Sequence, residues 1–239
     1  MTFHHHSSET IAQHAAQFII QELRIYLASG KSLLLLSGGS VGKQVVPVLA
    51  RLLLEIPQEL VANLTLGLVD ERFGLPRHGD SNMLVIKKSG LVEIIARNGG
   101  VVAWPLNADL LTIETTVKAY NSQITRLFNS CKGRILGVFG IGADGHTAGI
   151  KPLAEISYKQ LFVSSPALVV GYRAEDYERI TLTPVGISKI TTAVIYATGE
   201  QKQAVLEKLV GQTEFNEHEF PSGVFKQHQN VHVFTDKLV

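Results

Sequence analysis

The sequence predicts an α/β fold in three layers, a mostly parallel β-sheet with helices on both faces. Two observations carry this. Short apolar runs such as Leu33-Leu34-Leu35-Leu36 lack the polar alternation of a half-exposed strand, as expected for strands buried on both faces. These runs alternate with helix-length segments of amphipathic spacing, the rhythm of βαβ units. No repeat, low-complexity tract or shift in composition marks a linker, so residues 1–239 are expected to form a single α/β domain.

Taken in order, Ser7 and Ser8 can cap a helix running to about Ala28, with Gly30 closing it. The strand at 33–36 follows, then a helix over 45–55 that Pro57 stops. Strands are expected at 64–69, 101–104, 134–139, 193–197 and 231–234, with 161–163 a weaker candidate. Helices are expected over 111–129 and 200–210. Arg179 precedes an alternating stretch, Ile180 to Thr183, that should be extended. His4, His5 and His6 read as solvated residues ahead of the first helix, not as a metal site.

Composition excludes several function classes. Lys and Arg number 22 against 21 Asp and Glu, a net charge of +1. A protein that neutralises many phosphates of a nucleic acid carries a clearer basic excess. The longest uncharged run, 160–172, contains Ser164, Ser165 and Pro166 and falls short of the roughly 20 apolar residues that span a membrane. The N-terminus has no apolar stretch behind a basic head, so no signal peptide is read there. The single cysteine, Cys131, cannot form an internal disulfide. A soluble, cytoplasmic protein is expected; nothing fixes its oligomeric state, and a monomer is compatible with the sequence.

In a parallel sheet, ligands bind beyond the carboxyl ends of the strands. The residues that follow each apolar run are therefore the candidates. They are Ser37-Gly38-Gly39-Ser40, Asp70-Glu71-Arg72, the turn from Gly140 to His146, and Thr198-Gly199. The first is either a tight strand-to-helix turn or an anion cradle, since Gly38 and Gly39 allow close backbone approach and a helix N-terminus follows. It is not a nucleotide P-loop, which needs glycine at Ser37 and Ser or Thr at Gln44.

Gly140, Gly142 and Gly145 match G-x-G-x-x-G, but Pro152 follows too closely for the long helix a dinucleotide site requires. The layering is Rossmann-like without dinucleotide binding. What remains is Asp144 two residues from His146, an acid that can fix the tautomer of a proton-transferring imidazole. A solvated turn histidine is the plain alternative. Arg72, Arg179 and Lys202 each follow a strand or sit near one. Lys202, in the first turn of its helix, opposes the helix dipole unless an anion lies beside it.

Together these segments resemble the 6-phosphogluconolactonase family, within the wider group that includes glucosamine-6-phosphate deaminase. The likeness rests on Leu36-Ser37-Gly38-Gly39-Ser40, on Asp70-Glu71-Arg72 with His78, Ser81 and Asn82 in register, on Gly140 to Ala148, and on Arg179 to Thr183 with Ala197 to Lys202. It implies hydrolysis of 6-phospho-D-glucono-1,5-lactone in the oxidative pentose phosphate pathway, with a sugar-phosphate substrate and neither metal nor organic cofactor. By that resemblance His146 is the general base, Asp144 orients it, and Arg72 faces the substrate and its oxyanion. Asp70 belongs to the same catalytic set and is the proton abstractor in the deaminase branch. Gly38, Gly39, Ser40, Arg179 and Lys202 would hold the phosphate.

Two departures stand out. Lactonases usually continue after the histidine as T-A-S-L-F-P, whereas this chain has Gly149 and Lys151. Deaminases continue as I-A-F-N-E-P, and Lys151 replaces the glutamate that supports their histidine. Arg72 also stands where deaminases have tyrosine, although the segment 220–228 leans toward their side. The balance favours a lactonase. The alternatives are a deaminase or isomerase of an amino-sugar phosphate, and a sugar-phosphate sensor that has lost turnover.

Overall fold

A computed structural model describes residues 1–76, 78–109, 111–211 and 215–238. Among them, seven strands form one parallel sheet. Numbered in chain order, its strands are β1 (Thr2–His5), β2 (Ser32–Leu36), β3 (Leu64–Leu68), β5 (Val101–Val102), β6 (Ile135–Gly140), β9 (Thr192–Ala197) and β10 (Val231–Thr235). Their spatial order is β1-β10-β9-β6-β2-β3-β5. From β2 the chain builds outward through β3 and β5, then returns to the other side of β2 with β6, β9 and β10. The crevice at such a reversal is where open α/β sheets bind ligands.

The unbroken leucine run of β2 is explained by its central place. Leu33 and Leu35 pack into the core beneath α6 (Ile113–Ser130) and α9 (Gln203–Gly211). Leu34 and Leu36 pack on the other face against α1 (Ile11–Ser29) and α2 (Val46–Leu53). All four are fully buried, each contributing about 1.5–3 kcal/mol of transfer free energy. Both faces are thus covered, as the sequence predicts.

A second, antiparallel sheet was not legible in the sequence. The segment 70–72, expected as a loop after β3, is instead the strand β4 (Asp70–Arg72), in which Arg72 pairs with Arg179 of β8 (Glu178–Leu182). β8 also pairs with β7 (Val169–Arg173). This small sheet follows the carboxyl end of β3 and carries Arg72 and Arg179 with it.

Three expectations need correction. The first helix starts at Ile11, so neither Ser7 nor Ser8 is its side-chain cap. Ser7 contributes its carbonyl to the N–H of Ile11 at 2.9 Å, while its hydroxyl pairs with Thr10 at 3.0 Å. Residues 161–163 are helical, in a wide turn (Lys159–Val163) continuing α7 (Glu155–Tyr158). Only Phe162 is buried among them, against Tyr158 one turn back and Tyr172 across, so the apolar triplet follows a helical rather than a strand pattern. The strand expected at 101–104 shortens to β5, because Pro105 lacks a donor and the chain leaves the sheet.

The N-terminal histidines are also structured, His4 and His5 being part of the edge strand β1. The His4 ring stacks on Phe234 with centroids 4.4 Å apart and lies 3.0 Å from His232 Nδ1. Burial lowers the pKa of His4 below 6.5, and the repulsion of His232 and His6 adds to it. His232 is lowered by burial and by the N-terminal amine, and His6 by burial, His14 and His5. The unfolded chain therefore binds protons more readily than the folded one. Stability from this corner is present above the ordinary histidine value and is lost as pH falls through the window below it. Hydrogen exchange of the Phe3 to His5 amides, corrected for intrinsic rates, should accelerate between pH 7.5 and pH 5 relative to β2. Equal protection at both values would refute this.

Candidate functional site

The four loops singled out in the sequence follow β2, β3, β6 and β9, which are adjacent in the sheet as β9-β6-β2-β3. Parallel neighbours end on the same side, so the loops converge on one cleft of about 320 Å³. Ser37, Gly38, Gly39 and Ser40 line it. β4 supplies Asp70 and Arg72; the turn after β6 supplies Gly142 and His146. Arg179 enters from β8, and Lys202 from a short 3₁₀ turn, Glu200–Lys202, before α9. Every predicted site residue except Asp144 lines the cleft, and Asp144 touches it through His146.

The imidazole is held by its own turn. His146 Nδ1 lies 2.5 Å from Asp144 Oδ1, which also accepts the His146 backbone N–H at 3.1 Å. A carboxylate neighbour assigns the proton to Nδ1 and leaves Nε2 as the basic atom. The turn closes through Gly142 N–H to His146 O at 2.8 Å, and Ser222 donates its hydroxyl to Gly145 O at 2.6 Å. Gly142 is required by close approach, since a Cβ there would run into the imidazole and the Asp144 carboxylate. After Gly145 the chain makes small bridges, Ile141 with Thr147 and Thr147 with Ile150, and no helix opens as a dinucleotide site would need. Burial pushes the Asp144 pKa up, but the backbone and ring of His146, with Lys151 behind them, bring it below the ordinary carboxylate value.

Asp70 is buried at the bottom of the cleft. Asn82 donates Nδ2 to its carbonyl at 2.9 Å and to its carboxylate at 3.1 Å, and Ser37 Oγ lies 3.4 Å away. Burial pushes the Asp70 carboxyl pKa above its ordinary value, against the pull of Arg72, Arg179, Asn82 and His146. Arg72 is steadied by a bond from Nη1 to Asp80 O at 2.7 Å and lies over the Tyr177 ring. The Arg72 Nε and the Asn82 Oδ1 are buried with no hydrogen-bond partner among the described residues. Arg77, within the same signature segment, lies outside the described residues. Lys202, half-buried, has its pKa lowered by burial, with Asp144 opposing the shift.

Among the cleft residues outside the predicted site, Asn82, Lys151 and Asp176 bear most on its chemistry. Asn82 was visible as part of the Asp-Glu-Arg signature, but its reach to Asp70 was not. Lys151 stood out as a departure from the family pattern. Asp176 gave no signal, because it sits in the turn between β7 and β8, and β7 was not foreseen. Asp176 grips Arg179 with both oxygens, at 2.6 Å from Nη2 and 3.3 Å from Nε, and lies 3.2 Å from Lys151 Nζ. Burial pushes its carboxyl up, but Arg179 and then Lys151 hold it well below the ordinary range. Gly149, the other departure, has a steric reason: a Cβ there would press on the Thr181 side chain, whose hydroxyl accepts the Gly149 N–H at 2.9 Å.

Among the described residues no three His, Cys, Asp or Glu side chains cluster as a metal would need. The donors here suit an anionic organic ligand: cations and backbone N–H groups around one base.

A family model described as glucosamine-6-phosphate isomerases/6-phosphogluconolactonase matches residues 6–234. The chain belongs to this family. Within it, a 6-phosphogluconolactonase of Xylella fastidiosa is 31% identical over 205 residues, 84% of this chain and 79% of the relative. The 6-phosphogluconolactonase of Homo sapiens is 26% identical over 233 residues, 93% and 85% of the two chains. The crystal structure of a 6-phosphogluconolactonase from Shewanella baltica superposes with a TM-score of 0.81 over 98% of this chain and 96% of that one. At 21% identity it attests the shared family fold. That fold is the α/β arrangement expected from the apolar runs.

Proposed function

We propose that this chain hydrolyses 6-phospho-D-glucono-1,5-lactone to 6-phosphogluconate, the hydrolytic step of the oxidative pentose phosphate pathway. The observation that carries the reading is the Asp144-held imidazole of His146 opening on the same cleft as Arg72, Arg179 and Lys202.

A lactone carbonyl is already activated, so the site needs a base, a partner for the oxyanion and a hold on the substrate. His146 Nε2 takes a proton from water as the water oxygen bonds to the lactone carbonyl carbon. Asp144 keeps Nδ1 protonated and balances the imidazolium that forms. The guanidinium of Arg72 faces the negative oxygen of the tetrahedral intermediate. The ring carbon–oxygen bond then breaks, and the imidazolium returns its proton to the departing ring oxygen, giving the open sugar acid. Arg179, Lys202 and the N–H groups of the Gly38-Gly39-Ser40 turn hold the phosphate, aided by the helical segment beginning at Val41.

Lys151 argues against the deaminase alternative. A deaminase supports its histidine with a carboxylate at this position, and an ammonium cannot accept a proton or a hydrogen bond from it. The test is hydrolysis of freshly made 6-phosphogluconolactone at low temperature, with glucosamine 6-phosphate offered in parallel. Acid release well above the spontaneous rate, with no ammonia from the amino sugar, is the expected result. Thermal stabilisation by 6-phosphogluconate without any turnover would replace the enzyme with a sensor.

A further inference from the structure

The ion cluster at the rim of the cleft has a feature the lactonase chemistry does not use. Asp176, Arg179 and Lys151 all line the cleft, and the two cations meet on a single carboxylate oxygen, Oδ2 of Asp176. Arg179 is almost fully buried and spends its Nε and Nη2 donors on Asp176. Lys151 is fixed from behind. The Tyr172 hydroxyl donates to Gly149 O at 2.7 Å and accepts the Lys151 N–H at 3.3 Å, tying this stretch to the β7–β8 hairpin that carries Asp176 and Arg179. The lysine, absent from the usual family pattern, is thereby set beside the arginine assigned to the phosphate.

We propose that Lys151 and Asp176 form a specificity-determining pair, in which Asp176 is a built-in counter-anion on Arg179 and Lys151 that the phosphate group of a ligand displaces. The inference rests on the reading that Arg179 receives phosphate. A carboxylate ligand gains little by replacing Asp176, because it exchanges one monoanion for another and adds the cost of ordering. A phosphate monoester carries a charge of about −1.5 to −2 at neutral pH and three acceptor oxygens, so it satisfies both cations at once. The pair thus favours phosphorylated sugar acids over sugar acids bearing only a carboxylate, and Lys151 joins Arg179 in the phosphate subsite.

The sign of an affinity change decides between this and a plain orienting role for Asp176. Calorimetric titration with inorganic phosphate and with 6-phosphogluconate is run at low ionic strength on the native protein, Asp176→Asn and Lys151→Met. Asparagine keeps the Oδ1 that accepts the Tyr177 N–H at 2.9 Å, so the turn is conserved while the charge is lost. Asp176→Asn should bind both ligands about tenfold more tightly, and Lys151→Met about tenfold more weakly, in the range of close charge pairs. Weaker or unchanged binding in Asp176→Asn would make the aspartate a positioning residue for Arg179 and overturn the proposal. Unchanged phosphate binding in Lys151→Met would overturn it too, and that variant, which removes only the ammonium and keeps an unbranched stem, tests the idea even if the asparagine variant folds poorly. Native turnover of the lactone, measured alongside, separates the two readings. Tightened phosphate binding without turnover would sink only the lactonase, and turnover with unaltered phosphate binding would sink only the pair.

Discussion

Replacing His146 with alanine should lower kcat for lactone hydrolysis by about 10²–10⁴-fold, the usual contribution of a positioned general base. KM should change little, because the phosphate contacts from Arg179, Lys202 and the Gly38-Gly39 turn are left in place. Turnover at low temperature, corrected for spontaneous hydrolysis, is the measurement. A variant within a few-fold of the native rate would remove His146 from the mechanism. Gly142→Ala provides a companion that retains the base. Its Cβ would collide with the imidazole and with Asp144, so the ring must leave its position and most of the same loss should appear.

Much of the site around His146 is legible in the chain itself. β2, β3, β6 and β9 each end in a polar or glycine-rich turn, and a parallel sheet forces those turns to one side. His146, Arg72 and Lys202 could therefore be assembled from strands at 64–69, 134–139 and 193–197 before any geometry was known. Adjacency in the order β9-β6-β2-β3 was not readable, since apolar runs of this kind look alike and pairing order is a long-range property.

The small sheet was hidden for a different reason. β4 is three residues long and wholly polar, Asp70-Glu71-Arg72, so no hydrophobic period marks it. Its strand form depends on β8 lying alongside, with a partner more than a hundred positions away in the chain. Asp176 was invisible for the same cause, because its turn exists only once β7 and β8 pair. The edge strand β1 was missed because three successive histidines suggest solvation. Here the rings of His4 and His232 gain an aromatic shelf from Phe18 and Phe234.

One residue of that polar strand shapes the cleft without facing it. Glu71 points away from the cleft into the protein and is almost completely buried. Its carboxylate accepts the backbone N–H groups of Arg72, Asn82 and Met83 at 2.8, 2.6 and 3.1 Å, and the Ser81 hydroxyl at 2.9 Å. It thereby ties β4 to the first turn of α4 (Asn82–Lys87) and sets Asn82 against Asp70. Burial pushes its pKa above the ordinary carboxylate value, and the four hydrogen bonds oppose that shift without cancelling it.

Glu71→Ala should leave these donors facing a cavity, at about 1–3 kcal/mol for each that stays unsatisfied. Water entering the space offsets part of this, and a net loss of about 3 kcal/mol or more is expected. Denaturant unfolding at neutral pH measures it. Glu71→Gln, which retains an acceptor oxygen, should recover part of the stability. A loss below about 1 kcal/mol in the alanine variant would mean that α4 holds its own place. In the surviving folded fraction KM should rise as well, because Asn82, released from Glu71, no longer fixes Asp70 beneath the substrate.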